Sequence, residues 1–542
     1  MSRVTLVAVS LALGRTQDVT DALARAARAR DGGADLVEWR LDAIADEPGG
    51  TEAALRLCRE SPLPCIVTVR SHDEGGLYEG DEAQRLALLD AVGHGDHPPA
   101  YIDFEFAAMR ASANRRLKLM LAVDHPGPIR TGEPRLILSS HDFATRPPNL
   151  LQTIVAMWAD ESCTVAKIAW RGRSLRDNLE VFDILADRLK PTIALCMGEF
   201  GLPSRVLAGK FGGFLTFARG DDEPGTAPGQ PGLAELLQHY RFRSITEWTS
   251  VYGVVGWPLG HSHSPRLHNA AFESSGHDGV YLPLPIPPEW EHFKATVGSF
   301  IAQRRLNFRG ASVTAPHKEH LARFVSEHGG TLDEMTTICG AANTLVVEES
   351  GALRAHNTDA PAVLDCLAPM LGRTSDDLRG VRALVLGAGG AGRSAAAALA
   401  QAGAAVCIAN RTRSRAEAVA AALDGRPGTH GEMRVSAVEW TNAANCACFQ
   451  CIVNCTVLGM AGGPAPDESP LEDDAPLDGV VVFDSVYAPR LTPLVRQAQL
   501  RGAKVVEGLA MFAAQAERQF ALWTGQAPPR GQFAEQLARL CR

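Results

Sequence analysis

The first 240 residues alternate short apolar segments with amphipathic ones, and this alternation constrains the fold more than any other feature of the chain. The eight apolar segments are VTLVAVS, ADLVEWR, CIVTVR, AYIDFEF, RLILSSH, TVAKIAW, PTIALCM and GGFLTFA. Stretches rich in Ala, Leu and Arg, such as VTDALARAARARDGG, separate them. Eight strand–helix units over this length predict an α/β fold of the TIM barrel type.

The composition is that of a folded protein with more than one core. The chain has 542 residues, 46% of them hydrophobic, a length that predicts about two to four domains. The net charge of −9 argues against a protein that binds nucleic acid or an anionic membrane, but not against one that binds a small anion through local Arg and Lys. No apolar run reaches the roughly 18 residues that indicate a transmembrane helix.

The N-terminal segment MSRVTLVAVSLALG has one Arg and a short apolar run. Its alternation and its β-branched residues favour a first strand over a signal peptide. We see no transit segment ahead of this strand and expect a cytoplasmic protein. The oligomeric state is left open by the sequence.

A Pro- and Gly-rich segment, DDEPGTAPGQPG at 221–232, has the composition of a linker. It follows the eighth predicted strand and precedes the helical LAELLQHYRF, so we assign it to the top face of the barrel, where the active-site loops of such folds lie. The joint between the two halves is predicted near RSITEWTS, 243–250, which gives a barrel over residues 1–243.

Lys167 interrupts the otherwise apolar strand TVAKIAW. The two-residue period of a strand places it on the same face as Ala169, toward the barrel interior. A buried, unpaired ammonium is costly, whereas a desolvated lysine amine is a nucleophile toward carbonyl groups. The alternative is a lysine at the strand end that extends its ammonium into water.

Polar residues collect at the ends of four further strands. In barrels of this type, catalytic residues come from the carboxyl ends of several strands. The polar strand-end residues are Glu38 and Arg40, Arg70, Asp103 and Glu105, and His141. With Lys167, five of the eight strands contribute, which favours an active site over a chance arrangement.

These segments resemble type I 3-dehydroquinate dehydratase. EWRLD, TVR followed by EGG, SSHDF, KIA, MGEFGLPSR and APGQ occur in family order over about residues 1–240. The resemblance implies that Lys167 forms an imine with the C3 ketone of 3-dehydroquinate. It implies that His141 removes the C2 proton and assists the loss of the C1 hydroxyl as water, with Glu74 orienting it. His suits both steps because its pKa lies near neutral pH.

The same resemblance implies a set of substrate-binding residues. The arginines suit the carboxylate of the substrate, since a guanidinium binds that group with two donors. The implied set is Glu38, Arg40, Arg70, Arg205, Thr226 and Gln230. Thr226 stands where some relatives have Ser; the hydroxyl is kept, and we expect little change.

The second half contains a glycine-rich turn between a strand and a helix, in RALVLGAGGAGRSAAAALAQAGAAVCIANRT. Glycines at such a turn let the backbone approach a pyrophosphate that lies on the helix N-terminus. An NAD enzyme has an acidic residue at the end of the next strand, but this chain has Asn410-Arg411-Thr412, with Arg413 and Arg415 close by. Cations there favour NADP. The alternative is a glycine turn with a structural role only.

The segment GHSHSPRLHN has two interpretations. Ser262 and Ser264, ahead of Pro265 at a helix start, suit a carboxylate near a helix N-terminus. His261, His263 and His268 suggest a metal site, but no carboxylate or thiol motif completes it. The residues alone favour neither.

Four cysteines cluster in CACFQCIVNCT, at 446, 448, 451 and 455. Only Cys448 and Cys451 have the spacing of a zinc knuckle, and CIVNCT has the pattern of a strand. Core packing is favoured over a metal site.

The second half resembles shikimate dehydrogenase. GHSHSPRLHN, SVTAPHK, GAANTL, HNTD, GAGGAG, NRTRSR, NCTVLGM, VYAPRLTPL and EGLAMFAAQ occur in family order over about residues 250–525. This implies NADPH-dependent reduction of 3-dehydroshikimate at C3, with Lys318 and Asp359 as the acid/base pair. It assigns the serines to the substrate carboxylate and implies no metal.

The resemblance also implies the remaining site residues and the domains. Substrate binding falls to Ser262, Ser264, Thr314, Asn343, Tyr487 and Gln515. Cofactor binding falls to Gly387, Ala388, Gly389, Gly390, Ala391, Asn410, Arg411, Thr412, Arg415 and Gly508. A substrate-binding domain is expected over 250–365, completed by helices within 510–542, and a Rossmann NADP-binding domain over 366–509. Ser312 stands where many relatives have Asn, and we expect an effect on local turn geometry.

The two implied reactions are consecutive, because 3-dehydroshikimate is the product of one and the substrate of the other. The sequence therefore predicts a bifunctional enzyme acting on small molecules, with shikimate as product. Two alternatives stay open. The second half is a quinate dehydrogenase, since a pocket that tolerates one more hydroxyl discriminates weakly, or the chain is a metabolite sensor without catalysis.

Overall fold

The computed structural model describes residues 4–123, 135–260, 262–440 and 448–540. The chain folds into two compact units, which meet in sequence between Thr249 and Ser250. Each is described by itself below.

The first unit is an eight-stranded parallel barrel. Its strands are β1 Leu6–Ala12, β2 Leu36–Arg40, β3 Cys65–Thr68, β4 Tyr101–Glu105, β5 Arg135–Asp142, β6 Val165–Arg171, β7 Thr192–Met197 and β8 Leu215–Ala218. Its helices are α1 Val19–Asp31, α2 Gly50–Glu60, α3 Glu82–His94, α4 Phe106–Arg110, α5 Ala113–Val123, α6 Leu150–Ala159, α7 Asp177–Ala186 and α8 Leu202–Val206. All eight predicted strands are present.

The sheet closes on itself. β1 pairs in parallel with both β2 and β8, so the strand order ends with β7 and β8. The backbone N–H of Phe214, just ahead of β8, donates to the carbonyl of Thr192 in β7 at 2.8 Å. The predicted TIM barrel is confirmed, and the first apolar segment forms its strand β1.

The barrel interior is layered. Its lower layer is apolar and includes Ala8, Leu36, Ile66, Tyr101, Ile137, Val165, Ile193 and Leu215. Two residues further along several strands, the same face carries the polar side chains Ser10, Glu38, Thr68, Asp103, Ser139 and Lys167, all buried. Because side chains alternate between faces along a strand, a shift of two residues moves one layer up the barrel. The polar layer therefore lies toward the carboxyl ends of the strands.

The second unit contains two six-stranded sheets and a small hairpin. Its strands are β9 Ser250–Gly256, β10 Gly279–Pro285, β11 Phe308–Val313, β12 Thr331–Leu332, β13 Thr344–Val347, β14 Leu353–His356, β15 Arg382–Leu386, β16 Ala405–Ala409, β17 Pro427–Gly428, β18 Gly431–Glu432, β19 Arg434–Val438, β20 Cys451–Asn454, β21 Val481–Asp484 and β22 Lys504–Val506. Its helices are α9 Ser264–Ser275, α10 Trp290–Ala302, α11 Lys318–Glu327, α12 Glu334–Cys339, α13 Asp359–Leu367, α14 Gly390–Gln401, α15 Arg413–Leu423, α16 Pro493–Leu500, α17 Gly508–Thr524 and α18 Gln532–Leu540.

The sheet built from β15 onward is parallel throughout, with the order β19-β16-β15-β20-β21-β22. This is the strand order of the Rossmann fold, in which the dinucleotide lies at the point where the order reverses. The reversal falls between β15 and β20, directly below the glycine-rich turn. The predicted Rossmann fold is confirmed.

The other sheet has the order β10-β9-β11-β13-β14-β12. The C-terminal helices α17 and α18 bury their apolar faces in the same core as α9 and this sheet, through Phe512, Phe520 and Phe533. The end of the chain thus packs on the part of the unit that carries the predicted substrate residues.

The described cysteines of the predicted cluster lie in or against apolar cores. Cys451 is buried in β20, while Cys448 and Cys455 pack against the two cores of the Rossmann sheet. Cys446 and His261 fall outside the described residues. Within the ranges given above, no group of three or more metal-ligating side chains converges, and no helix is long and apolar enough to span a membrane.

His268 lies in the core beneath α17 and α18. Its ring is fully buried and stacks on Tyr281 at 4.5 Å, with edge contacts to Trp523 and Phe533. Burial lowers the pKa of this imidazole to about 3, from its ordinary 6.5.

This burial predicts acid-dependent stability. Below pH 6.5 His268 binds a proton in the unfolded state but not in the folded state, so the free energy of unfolding falls as the pH drops toward 3. At pH 5 the loss is about 2 kcal/mol, since one pKa unit corresponds to about 1.4 kcal/mol. His268→Leu should therefore flatten the dependence of the melting temperature on pH between 7 and 5. His292→Leu, which alters a half-exposed histidine of the same unit, should leave it unchanged; equal slopes in all three proteins would contradict the assignment.

Candidate functional site

All nine barrel residues predicted to act in catalysis or binding line one cavity at the carboxyl ends of the strands. They are Glu38, Arg40, Arg70, Glu74, His141, Lys167, Arg205, Thr226 and Gln230. The cavity wall is completed by Phe143, Ala169, Leu195, Met197, Phe217 and Ala227. The loop 221–232 contributes three of these residues, as expected for a top-face loop.

The Lys167 ammonium is buried and paired. Its Nζ lies 2.7 Å from Asp103 Oδ2, 3.4 Å from Glu38 Oε1 and 4.5 Å from the centre of the Phe217 ring. Burial acts to raise the pKa of the Glu38 carboxyl, but Lys167 and then Arg40 outweigh it, and the pKa lies below its ordinary value. The lysine therefore does not extend into water.

Asp103 connects this lysine to Arg70. Its second oxygen accepts hydrogen bonds from Arg70 Nη2 and Ser139 Oγ, both at 2.6 Å. Burial disfavours the charged form, but Arg70 and Lys167 hold the pKa of Asp103 well below its usual range. Arg70 continues to Glu105 at 3.2 Å. The buried charges thus alternate in sign, which offsets much of their desolvation cost.

His141 and Glu74 form a second pair. Glu74 Oε2 lies 3.0 Å from His141 Nδ1 and accepts from the His141 backbone N–H at 2.9 Å. Burial, with Arg70 and Lys167, lowers the pKa of His141 well below 6.5, and burial raises the pKa of Glu74 to about 8 in spite of Arg70. A neutral imidazole that donates from Nδ1 keeps the lone pair on Nε2 for a proton.

Arg205 is a buried cation with unpaired donors at the cavity wall. It is fully buried, and burial lowers its pKa to about 10. Its Nε and Nη2 have no hydrogen-bond partner among the residues that the structure describes. Unpaired buried donors are costly, so this guanidinium suits an anion in the cavity. Across the cavity, Gln230 Oε1 accepts from the backbone N–H of Thr226 at 2.8 Å.

In the second unit, four predicted residues are joined by hydrogen bonds. Lys318 Nζ lies 2.5 Å from Asp359 Oδ2, and Asn343 Nδ2 donates to Asp359 Oδ1 at 2.9 Å and to Gln515 Oε1 at 3.3 Å. Asp359 begins α13, where the helix N-terminus favours a carboxylate. The predicted acid/base pair is therefore formed and oriented by the fold.

The other predicted substrate residues lie on separate segments of this unit. Ser262 Oγ accepts from Ser264 N at 3.4 Å at the start of α9. Thr314 begins the turn that leads to Lys318, with its carbonyl accepting from His317 N. Tyr487 stacks on Phe512 of α17 at 4.8 Å, one turn before Gln515.

The glycine turn after β15 has the shape of a phosphate cradle. Gly387 has φ +104°, and a Cβ on Gly392 would lie 2.0 Å from the Gly387 carbonyl oxygen, so both positions require glycine. A Cβ on Gly390 would lie 2.8 Å from Lys318 Cβ, while one on Gly389 would meet nothing within 4 Å. The space above Gly389 and the first turn of α14, which includes Ala391, is therefore open to a pyrophosphate.

The segment after β16 completes this cradle. Asn410 Oδ1 accepts from Ala388 N at 3.1 Å, and Asn410 Nδ2 donates to the Thr412 carbonyl. Arg411 and Arg415 are exposed and make no ion pair within the described ranges, whereas Arg413 is paired with Glu417 and Glu439. Two available cations suit a 2′-phosphate.

Gly508 begins α17 against the backbone of the segment after β21. A Cβ there would lie 2.7 to 2.9 Å from the carbonyl oxygens of Val486, Ser485 and Asp484. Only glycine allows this approach, which brings the helix start next to the Tyr487 loop.

Comparison with known proteins agrees with this architecture. The family model of type I 3-dehydroquinase matches residues 7–247. Three models of shikimate dehydrogenase match parts of the second unit: the substrate binding domain at 254–345, shikimate/quinate 5-dehydrogenase at 370–435 and the C-terminal domain at 508–538. A chloroplastic bifunctional 3-dehydroquinate dehydratase/shikimate dehydrogenase of Arabidopsis thaliana is 36% identical over 517 residues, covering 93% of this chain and 80% of that protein. The chain belongs to this bifunctional family.

Other members of the dehydrogenase family match the second unit alone. The shikimate dehydrogenase (NADP(+)) of Citrifermentans bemidjiense is 40% identical and covers 54% of this chain and 97% of its own. A crystal structure of shikimate 5-dehydrogenase from Thermus thermophilus with NADP(H) and shikimate is 33% identical over 54% of this chain and 99% of that one, with a TM-score of 0.45. The cytoplasmic location expected for this bifunctional enzyme stays a prediction.

Some residues of these sites were not singled out by sequence reasoning. Asp103 was named among the polar strand-end residues but received no role, although it makes the shorter of the two carboxylate contacts to Lys167. Tyr281 and Gln519 were missed, since each looks like core in the sequence. Ser312 lies inside β11, and its hydroxyl bonds Tyr281 and Gln519. The expectation of an effect on turn geometry is therefore wrong, because the position is in a strand.

The glycine turn yields a matched pair of substitutions. Gly392→Ala forces a Cβ into the Gly387 carbonyl, so it should lower the melting temperature and abolish NADP binding together. Gly389→Ala meets no protein atom, so it should leave the melting temperature within about 1 °C while weakening NADP at least about tenfold by blocking the pyrophosphate. Thermal melting and NADP fluorescence titration measure both. Unimpaired NADP binding in Gly389→Ala would place the cofactor elsewhere.

Proposed function

We propose that the two sites act in sequence on one carbon skeleton, with the residue roles set out below. The barrel dehydrates 3-dehydroquinate to 3-dehydroshikimate, and the second unit reduces 3-dehydroshikimate to shikimate with NADPH. The observation that carries this proposal is the presence of a complete set of reactive groups in each unit: a buried lysine beside a histidine–carboxylate pair, and a lysine–aspartate pair against a dinucleotide turn. The ligands are small molecules; the absence of a nucleic-acid partner stays a prediction.

In the barrel, Lys167 Nζ attacks the C3 ketone after transferring a proton to a neighbouring base. The former ketone oxygen takes the proton back from that base and a second one from the nitrogen, and it leaves as water. The protonated imine then carries the same positive charge as the original ammonium. Asp103, at 2.7 Å from Nζ, therefore faces a cation before and after imine formation. The buried charge balance is preserved, which avoids the cost of an unpaired carboxylate.

His141 supplies the proton transfers. With Nδ1 directed at Glu74, Nε2 accepts the C2 proton, which the protonated imine has acidified. The resulting enamine expels the C1 hydroxyl, to which His141 returns the proton so that water leaves. A charged Glu74 stabilises the imidazolium between these two steps. Arg205, with its unpaired donors, binds the carboxylate of the substrate.

In the second unit, Lys318 and Asp359 together supply the proton that the C3 oxygen needs. NADP, when bound, supplies hydride chemistry at its nicotinamide. The Lys318 ammonium donates a proton to the oxygen as the alcohol forms, and Asp359 keeps the amine oriented. Asn343 and Gln515 hold the ring hydroxyls, while Ser262 and Ser264 donate to the carboxylate at the start of α9.

A coupled assay tests both halves. Purified enzyme receives 3-dehydroquinate and NADPH, and nicotinamide absorbance is followed. Lys167→Ala should lose the coupled reaction by at least about 1,000-fold while still reducing added 3-dehydroshikimate, and Lys318→Ala should lose the reduction by about 100-fold or more. Replacing the exposed Lys118 or Lys294 with Ala should change neither.

Borohydride provides an independent test of the imine. Added with 3-dehydroquinate, it should fix a covalent adduct on wild type and none on Lys167→Ala, as seen by mass spectrometry. A wild type that consumes NADPH only from 3-dehydroshikimate would refute the dehydratase. Faster oxidation of quinate than of shikimate would instead favour the quinate dehydrogenase alternative, and inactivity with every substrate the sensor.

The pKa of Glu74 predicts a pH dependence. Burial holds this pKa near 8, so Glu74 gains its charge as the pH rises through 8, and His141 becomes the stronger base. The kcat of dehydration should rise between pH 7 and 9. In Glu74→Gln this increment should be absent, and kcat at pH 9 should be about 10- to 100-fold lower. The exposed Glu79→Gln, in the same loop, should behave as wild type. A parallel profile in Glu74→Gln would contradict the role.

A further inference from the structure

Three buried polar side chains of the second unit lie outside the set proposed above. Tyr281 in β10, Ser312 in β11 and Gln519 in α17 are each no more than 7% exposed. The Tyr281 hydroxyl donates to Ser312 Oγ at 2.6 Å, and Ser312 Oγ donates to Gln519 Oε1 at 2.6 Å. Gln519 Nε2 donates to the backbone carbonyl oxygen of Asn343 at 3.2 Å and to Thr344 Oγ1 at 3.1 Å. We call these three side chains the relay.

The direction of every bond in the relay is fixed by chemistry. The Asn343 carbonyl only accepts, so the amide nitrogen of Gln519 faces it and the amide oxygen faces Ser312. Ser312 has one hydrogen and must donate it to that oxygen. Tyr281 must then donate to Ser312. Gln519 and Ser312 therefore have one arrangement of hydrogens, and the bond from Tyr281 to Ser312 fits it.

The relay ends at the proposed catalytic pair. Thr344 Oγ1, which accepts from Gln519, donates to Asn343 Oδ1 at 3.1 Å. The Thr358 backbone N–H also donates to this oxygen, at 2.8 Å. The amide nitrogen of Asn343 is thereby turned toward Asp359 Oδ1 at 2.9 Å, and Asp359 binds Lys318.

Gln519 also sets the rotation of α17. Gln515, Gln519 and Trp523 are four residues apart and so lie on one face of the helix. Along β13 they bond successive residues: Gln515 bonds the Asn343 side chain, Gln519 bonds Asn343 and Thr344, and Trp523 Nε1 donates to the Leu345 carbonyl at 2.9 Å. A rotation of α17 about its axis that broke the bonds of Gln519 would also move Gln515 away from Asn343.

We propose that Tyr281, Ser312 and Gln519 are positioning residues for the substrate of the dehydrogenase site, because the relay fixes Asn343 and Gln515 at their proposed places against the ring hydroxyls. The proposal rests on the function proposed for this unit. The hydrogen bonds of the relay within the described residues lead to Asn343 and Thr344 and not to the glycine turn. We therefore expect the relay to affect binding of the substrate ring and not binding of the dinucleotide. Ser312 acts at its centre, where it is both acceptor and donor.

Breaking the relay should have a graded effect that follows the direction of its bonds. Gln519→Leu removes every bond to Asn343 and Thr344 and should raise the KM for shikimate most, by about 30-fold. Ser312→Ala leaves the Gln519 oxygen unpaired and free to turn, which should raise KM about tenfold. Tyr281→Phe removes the outer donor and leaves the bonds among Ser312, Gln519 and Asn343 in place, so KM should change less than threefold.

The experiment compares these variants in shikimate oxidation by the full chain. KM and kcat for shikimate are measured at saturating NADP, and NADP binding is measured by fluorescence. NADP affinity should stay within twofold of wild type, as should the dehydratase activity of the barrel. Ser312→Thr keeps the hydroxyl and should restore most of the shikimate KM. Ser299→Ala removes a hydroxyl that bonds only within its own helix, to the Ala295 carbonyl, and should match wild type.

A double substitution completes the test. If the relay acts as one unit, Ser312→Ala added to Gln519→Leu should raise KM no further. The proposal is overturned if Ser312→Ala leaves the KM for shikimate within twofold of wild type, if NADP affinity falls in parallel with it, or if the double variant shows the product of the two effects. An inactive wild type would instead refute the proposed function of this unit, which separates the two failures.

Discussion

A lysine ammonium held against a carboxylate is the interaction around which each unit is arranged. Lys167 lies 2.7 Å from Asp103 in the barrel, and Lys318 lies 2.5 Å from Asp359 in the second unit. A cation in a poorly hydrated site is tolerated only when a counter-charge and further hydrogen bonds accompany it. That requirement brings Glu38 to the first lysine and Arg70 to its partner Asp103, and Asn343 to the carboxylate that holds the second. The polar layer of the barrel and the relay of the second unit supply hydrogen bonds to these buried pairs and their neighbours.

The two scaffolds meet this requirement differently. The barrel gathers its charges from several strands, because β1 to β6 each carry an apolar interior residue and then a polar one two positions later. The second unit gathers its groups at the first residues of α11 and α13 and along one face of α17. Barrel strands hold side chains in a rigid ring, which suits a covalent intermediate. Helix ends face an open turn, which suits a separate dinucleotide.

Burial and nearby charges also give neighbouring groups of the barrel different pKa values. In the barrel, burial keeps His141 neutral and Glu74 hard to ionise, while Asp103 stays charged between two cations. Two buried carboxylates of the barrel thus differ by environment: the pKa of Asp103 is lowered by its two cations, and the pKa of Glu74 is raised by burial. The chain belongs to the bifunctional dehydratase/dehydrogenase family, as the Arabidopsis relative over 93% of the chain shows. A dehydratase needs both a neutral base and a charged counter-ion, and these pKa values provide them.

The sequence by itself determined the architecture and most of the residues that meet in the sites. Period-two alternation located all eight barrel strands and placed Lys167 on the interior face, and the glycine turn between strand and helix indicated the dinucleotide fold. Resemblance to two families supplied the remaining roles. Only the tertiary structure decided which partner each charge has. Asp103 is 64 residues from Lys167 in sequence, and Gln519 is 207 from Ser312. Local pattern reports which face a side chain occupies, whereas a hydrogen bond depends on distances that are set only when distant elements pack together.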